Sequence, residues 1–308
     1  MEWFSGLIAG IFGLFGGLLP THNLIYFSEL FVETPRAEII FGGDMMFDRT
    51  VRSAIEKKGG EFIFSCIDPT LAPADLVVAN LEGPITDKDS ISQDSLPGDG
   101  NNYTFTFPPS TAALLAAHGI KLVNIGNNHI MNFARAGLLQ TKKNLEAAGV
   151  GYFGDPDATE SEKVARLTMH GMPLSFVNWS DWTSDKTDYT VAQVRTEAES
   201  GRIVVVYTHW GIEYATTSPA RVHELAHQFV DAGASIVIGS HPHVVEEHEV
   251  YKGKHIYYSL GNFFFDQYWM DAVRTGLLLD VIFGPGGVES VREIPVELGR
   301  DRRTCPTH

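Results

Sequence analysis

The chain is poor in cysteine and poor in positive charge. Its 308 residues hold two cysteines, Cys66 and Cys305. Cys305 lies in the polar stretch RDRRTCPTH, so a disulfide framework of the kind that staples small secreted domains is not expected. Two cysteines do not fix the redox compartment either. Lys and Arg number 23 against 38 Asp and Glu, a formal charge of −15. That balance argues against nucleic acid as a partner, because phosphate binding needs a basic surface. It also argues against a broad surface for gripping acidic polymers: a polyanionic substrate would need local cations or a metal. Internal repeats and low-complexity tracts are absent. An apolar content of 44% and a charged content of 20% are ordinary for a globular chain.

What is present begins with an apolar run. MEWFSGLIAGIFGLFGGLLP carries one acid, Glu2, and no base. From Trp3 to Leu19 it reaches the short end of a bilayer-spanning length, and glycines at 6/10 and 13/17 make two GxxxG spacings that permit close helix contact. A cleaved signal peptide would open on positive charge and close on small residues, and neither is clear. The favoured reading is an uncleaved anchor over 1–20 and a tether over 21–36, with a globular domain over 37–298 and a polar tail over 299–308. This predicts a single-pass protein of the cell membrane with its main domain outside the cytoplasm. The first basic residue is Arg36, so flanking charge gives that orientation no support.

In the globular part, short apolar runs alternate with helical periodicity. Strands are predicted at 37–43, 74–80, 121–126, 202–208 and 234–240, and helices at 50–58, 110–119, 134–149 and 219–233. Ser110 is read as a cap of the second helix. Apolar runs at 164–169 and 173–179 and two hairpins, within 248–260 and 275–297, complete the pattern. Residues 87–104 read as a long, polar, turn-rich loop that could cover a site, though its sequence does not place it there. The alternation predicts an α/β protein with several parallel strands.

In such sheets ligands gather beyond the carboxyl ends of strands. Five strand ends deliver polar groups: Asp44; Asn80 and Glu82; Asn127, Asn128 and His129; His209; and His241 and His243. Any one of these is ordinary. A lone histidine after a strand is more often a hydrogen-bonded turn residue, Asp44 can cap a helix, and Asn127–Asn128 can form a turn. Five together point to a borderline or hard divalent ion such as Mn, Zn, Fe or Mg.

Six blocks, GGDMMFDR, NLEGPIT, NNHIMNF, THWGIEY, GSHPHVV and YSLGNFFFDQ, resemble in content and order those of bacterial capsule-synthesis proteins of the CapA/PgsA type. That family is linked to poly-γ-glutamate biosynthesis and related to calcineurin-like metallophosphoesterases. The likeness runs from about residue 38 to 268. It implies a two-sheet α/β/β/α sandwich with a metal site at one edge, holding one or two ions. Asp44, Asn128, His209, His241 and His243 are implied ligands, with Glu82 favoured over Asn80 where the pattern has a bridging Asp, and Asp44 and His129 are the implied catalytic groups, with His129 as proton donor or transition-state stabiliser. Met46 stands where the phosphoesterase pattern has a histidine, and a thioether suits a hard cation poorly. Asn132 stands where many relatives carry Asp, which removes a carboxylate partner for His129. Arg49, Asn80, Trp210 and Asn262 are the candidate substrate-binding residues; the bland readings are an Arg49–Asp48 ion pair, core packing for Trp210 and a turn for Asn262.

Two functions fit these readings. The first is a membrane-anchored metal-dependent hydrolase of capsule or poly-γ-glutamate biosynthesis, with a metal-activated water attacking a phosphoester or amide. The alternative is a non-catalytic scaffold in a capsule-polymer synthesis or export complex, partnered by other capsule-synthesis membrane subunits. A peripheral polymer-binding protein is disfavoured by the acidic charge.

Overall fold

The computed structural model describes residues 34–159, 163–183 and 187–307. The expected anchor at 1–20 and most of the tether lie outside the described residues. Among the described residues, no helix is long and apolar enough to cross a membrane.

Among the described residues, fourteen strands form two sheets. In chain order they are β1 (Ala37–Met45), β2 (Leu76–Leu81), β3 (Ile120–Asn124), β4 (Gly151–Phe153), β5 (Ala165–Met169), β6 (Met172–Ser180) and β7 (Ile203–His209). Then come β8 (Ala234–Ser240), β9 (His248–Tyr251), β10 (Lys254–Tyr257), β11 (Asn262–Phe264), β12 (Thr275–Gly284), β13 (Gly287–Leu298) and β14 (Thr304–Pro306). The first sheet runs β14-β13-β12-β1-β2-β3-β4, with β11 also paired to β1; the second runs β5-β6-β7-β8-β10-β9. Strands β1 to β4 are mutually parallel, as are β6, β7, β8 and β10.

Three apolar layers follow from the two-residue period of a strand. Ile39 and Phe41 of β1, with Val78 and Leu122, pack against Phe176, Val205 and Ile238 of the other sheet. Ile40, Val77 and Val123 face the opposite way, onto helices Arg49–Lys58, Ser110–Ala117 and Ala134–Ala147. On the far side, Val204, Val206 and Val237 meet helices Thr187–Glu199 and Ala220–Ala232. The protein is therefore a mixed α/β fold of two facing sheets with helices outside.

The strand ends converge because β1 changes register. Its pairing with β2 shifts between Phe41 and Asp44. Gly42 and Gly43 occupy the shift, and a Cβ at Gly43 would lie 1.9 Å from the Gly261 carbonyl oxygen. Only glycine lets the chain before β11 approach this closely, and Asp44 N then donates to Gly261 O at 3.0 Å.

Several expectations need correction. Ser110 is the first residue of its helix and Pro109 holds the cap position, with no side-chain cap bond. The cap of helix Arg49–Lys58 is Asp48, whose Oδ1 accepts from Arg49 N at 2.9 Å. Helices at Gly60–Phe64 and Thr187–Glu199 are additional. The stretch 299–308 is not a polar tail: Cys305 pairs with Glu297 in the β13–β14 ladder. Cys305 is also bonded to Cys66 across a sequence separation of 239, with Cα atoms 5.0 Å apart, so the chain does carry a disulfide. Composition hid it because the charged residues before Cys305 belong to a turn and the strand that holds it, β14, is only three residues long.

Candidate metal centre

Asp44 ends β1 and is fully buried. Its Oδ1 accepts from Asn80 Nδ2 at 2.8 Å and its Oδ2 from His241 N at 3.0 Å. Burial opposes its ionisation, yet His243, His209 and the Asn80 amide together hold the carboxyl below the usual range. Glu82, just beyond β2, is also fully buried. Burial, then repulsion from Asp44, pushes its carboxyl well above the usual range. Neither Glu82 oxygen has a hydrogen-bond partner among the described residues, and neither does His241 Nδ1.

These atoms face a common space. His243 Nδ1 lies 3.3 Å from Asp44 Oδ2, and His243 Nε2 lies 3.7 Å from Glu82 Oε1. His209 Nδ1 and Nε2 lie 3.9 Å from Asp44 Oδ1 and Glu82 Oε1 respectively. Two sets of potential ligands result, Glu82–His209–His241 and Asp44–Glu82–His243. They share Glu82. A buried carboxylate with both oxygens unpartnered costs on the order of 1–3 kcal/mol or more unless a cation is supplied. Oxygen and imidazole donors suit a divalent ion, so the residues present fit one.

The backbone is strained where the histidines enter. His241 has φ of 101° and His243 φ of 60°, conformations a side chain with a Cβ resists. Pro242 between them has no free φ, which fixes the spacing of the two rings. His209 and His241 are kept neutral: burial lowers His209 to about 3 and lowers His241 further. A neutral imidazole is the form that ligates a metal.

Asn128 Oδ1 lies 3.0 Å from His209 Nε2, at the same space. His129 Nε2 is 3.9 Å from Glu82 Oε1. Its Nδ1 is 3.1 Å from Asn132 Oδ1, which also accepts from Phe105 N at 2.8 Å. That backbone donor identifies the atom as the amide oxygen, so His129 carries its proton on Nδ1. Burial lowers His129 to about 4. At neutral pH its Nε2 is thus a proton acceptor, and it must first take up a proton before donating one.

Three of the four expected substrate contacts have other surroundings. Trp210 is fully buried among Trp179, Phe229 and Tyr258, and its Nε1 donates to Tyr258 O at 2.9 Å. Asn80 is buried beneath Asp44, its Oδ1 accepting from Asn124 and Asn127 at 3.1 Å each. Asn262 is buried behind His243, with Oδ1 3.0 Å from Nδ1. Asn80 and Asn262 are thus fully buried against the candidate ligands Asp44 and His243. Arg49 does line a cavity of about 210 Å³ that opens beside His129 and His243. Its partner is Asp266 at 2.5 Å, with Asn102 at 3.0 Å, in place of the expected Asp48. Asp48 is fully buried and holds the 87–104 loop: Ser90 Oγ and Ser92 Oγ donate to it at 2.6 and 2.8 Å. The loop supplies Gln93, Ser95 and Tyr103 to the cavity wall. Met46 lies in the helix-side core, its sulfur accepting from Asp48 N at 3.0 Å.

The sequence reading missed Trp182, whose ring centroid lies 3.9 Å from that of His241. It follows β6, so the strand-end rule applied to that apolar run would have found it. Asp266, Trp269 and Arg302 also line the cavity and carried no such signal, whereas Tyr214, which lines it too, lies in the THWGIEY block beside His209.

The fold and site define a two-sheet α/β protein with a buried carboxylate–imidazole centre able to hold a divalent metal. The sequence model of the family described as bacterial capsule synthesis protein PGA_cap matches residues 38–267, and the chain belongs to that family. It is 33% identical over 274 residues to the PGA biosynthesis protein CapA of Bacillus subtilis (strain 168), covering 84% of this chain and 70% of that one. It is 28% identical over 265 residues to the capsule biosynthesis protein CapA of Bacillus anthracis, covering 80% and 64% respectively. Among solved structures it is similar to TT1561 of Thermus thermophilus, with a TM-score of 0.44, 11% identity, and 79% and 94% of the two chains covered. That likeness is too distant to bear on the site.

Proposed function

We propose that this protein is a metal-dependent hydrolase of metallophosphoesterase type acting in capsule or poly-γ-glutamate biosynthesis. The observation that carries the reading is Glu82, buried, unpartnered and common to both ligand sets. Asp44, Glu82, Asn128, His209, His241 and His243 hold one or two divalent ions. A divalent ion bound there supplies Lewis acidity and lowers the pKa of a water it carries.

The remaining work falls to the chain. His129, with Nε2 free of protein donors, takes a proton on the substrate side and returns it to the leaving group. Arg49, its guanidinium carbon 5.1 Å from the Phe105 ring centroid and 5.5 Å from that of Phe265, and held by Asp266 and Asn102, presents its guanidinium to an anionic group of the substrate. The 87–104 loop, tethered by Asp48, screens the cavity from water. Met46 is not read as decay, since its side chain serves the core.

The N-terminal apolar run anchors the chain in the cell membrane as a single-pass protein. The Cys66–Cys305 bond supports a main domain outside the cytoplasm, where such bonds persist. Partners at the membrane are other capsule-synthesis subunits.

Phosphodiester and γ-glutamyl substrates, screened against protein reconstituted with Mn, Zn, Fe or Mg, test the activity. Asp44→Ala and His241→Ala are expected to lose metal and hydrolysis together. Undiminished turnover after complete chelation contradicts the reading. Polymer production that persists in cells carrying His241→Ala and His243→Ala favours a scaffold instead.

A further inference from the structure

The cavity at the metal centre does not end at Arg49. A second groove, of about 420 Å³, adjoins it and shares Thr50, Gln93 and Arg302 with it. Lys57, Lys58, Arg300 and Arg302 line this groove, against the acids Asp94 and Asp301. Asp301 is taken up by Arg303, whose Nε donates to it at 2.9 Å. On a chain of net charge −15, four cations in one groove are a local reversal of sign.

The reversal is built from two distant parts of the chain. Lys57 and Lys58 end the helix Arg49–Lys58. Arg300 and Arg302 come from the turn between β13 and β14. That turn is held by Gly299 N to Arg303 O and Arg302 N to Gly299 O, both at 2.8 Å. Arg302 takes φ of 77° there, and its guanidinium lies 4.7 Å over the ring of Tyr268. Its Nε donates to Thr50 Oγ1 at 2.8 Å, and Thr50 Oγ1 donates to Asp266 at 2.7 Å, the carboxylate that also holds Arg49. Arg49 and Arg302 are therefore joined through two side chains. β14 and the Cys66–Cys305 bond fasten the turn to the body of the domain.

We infer that this groove is a binding track for a linear polycarboxylate chain, with one unit at the metal centre and the following units along Arg302, Arg300, Lys57 and Lys58. The inference rests on the proposed function for the placement of the reacting unit, but not for the binding itself. Arginine forks suit carboxylates, and a row of separate cations suits a charge repeated along a chain better than a single anion. Confinement of the positive charge to one groove lets an acidic protein hold an acidic polymer. The four cations are assigned by no motif: Arg300 and Arg302 lie beyond the 38–267 match, and Lys57 and Lys58 lie outside the six sequence blocks.

The test is fluorescence anisotropy of an end-labelled oligomer of γ-linked glutamate with the full-length protein, metal-free and metal-loaded. Binding is expected in both states and is expected to weaken as salt is raised. Arg300→Glu with Arg302→Glu, and separately Lys57→Glu with Lys58→Glu, should each weaken it by about tenfold or more. Lys121→Glu, an exposed change of the same sign elsewhere, should leave it within about twofold. Arg300→Gln with Arg302→Gln serves if a reversal disturbs folding, as read from thermal melting. Equal affinity in wild type and the groove variants overturns the inference. So does preference for inorganic polyphosphate over the polycarboxylate at matched charge. Groove-dependent binding by a metal-loaded protein that hydrolyses nothing supports the track and overturns only the proposed activity.

Discussion

Replacing Glu82 with Gln should move stability in opposite directions with and without metal. In the metal-free protein Glu82 places a carboxyl with two unpartnered oxygens in a fully buried site beside Asp44. Gln keeps the shape and removes the ionisable group, so the metal-free fold should gain about 1–3 kcal/mol at neutral pH. At about 2 °C per kcal/mol for a domain of this size, the melting temperature should rise by about 2–6 °C in chelator. The loaded protein should behave in reverse. An ion present at one hundred times its dissociation constant stabilises by about 2.7 kcal/mol, and the variant should lose that increment because both ligand sets share the residue. Differential scanning calorimetry of wild type and variant, each with EDTA and with excess Mn, reads all four states. A variant destabilised in EDTA, or one stabilised by Mn as much as wild type, would refute the assignment of Glu82.

Other expectations follow from single contacts. Asn262→Ala removes the partner of His243 Nδ1 and should weaken metal binding about 10–100-fold in a competition titration with a metal indicator, with the fold retained. Burial raises Glu246 from 4.5 to about 7, and its Oε1 is unpartnered. The folded state therefore holds a proton between those values that the unfolded state has released, and stability from this group falls as pH rises from 4.5 to 7. Glu246→Gln should then stabilise by about 1–2 kcal/mol at about pH 8 and by nothing near about pH 4.5, read by urea denaturation; an equal effect at both pH values contradicts this. Cys305→Ser opens a loop spanning 239 residues and should cost up to about 5 kcal/mol, seen as a lowered urea midpoint with a steeper slope, because the opened unfolded chain exposes more surface.

The strand-end rule picked out residues that the fold brings together because in parallel sheets it is a consequence of topology, and apolar runs such as IVIGS and RIVVVY announce their own ends. Asp44, Glu82, Asn128, His129, His209, His241 and His243 all converge on one space. The roles of their neighbours were not legible. Asn80, Trp210 and Asn262 stand at strand ends too, but which face each presents depends on the register shift after Phe41 and on the approach of β11, and both are long-range facts. Helix Thr187–Glu199 escaped notice because its apolar positions are few. The C-terminal segment was misread for a different reason. Its order comes from β13, from Tyr268 and from Cys66, none of which is a neighbour in sequence. Arg302 reaches Thr50 across 252 positions, so no local pattern marks it as part of a groove.

The central claim is that Glu82 holds a divalent centre together. The most direct measurement is metal content by inductively coupled plasma mass spectrometry after purification and dialysis, for wild type and Glu82→Gln side by side. The account predicts at least one tightly held divalent ion per wild-type chain and none in the variant. A wild-type protein that retains no ion after exposure to Mn, Zn, Fe and Mg, or a variant that retains as much as wild type, would contradict it.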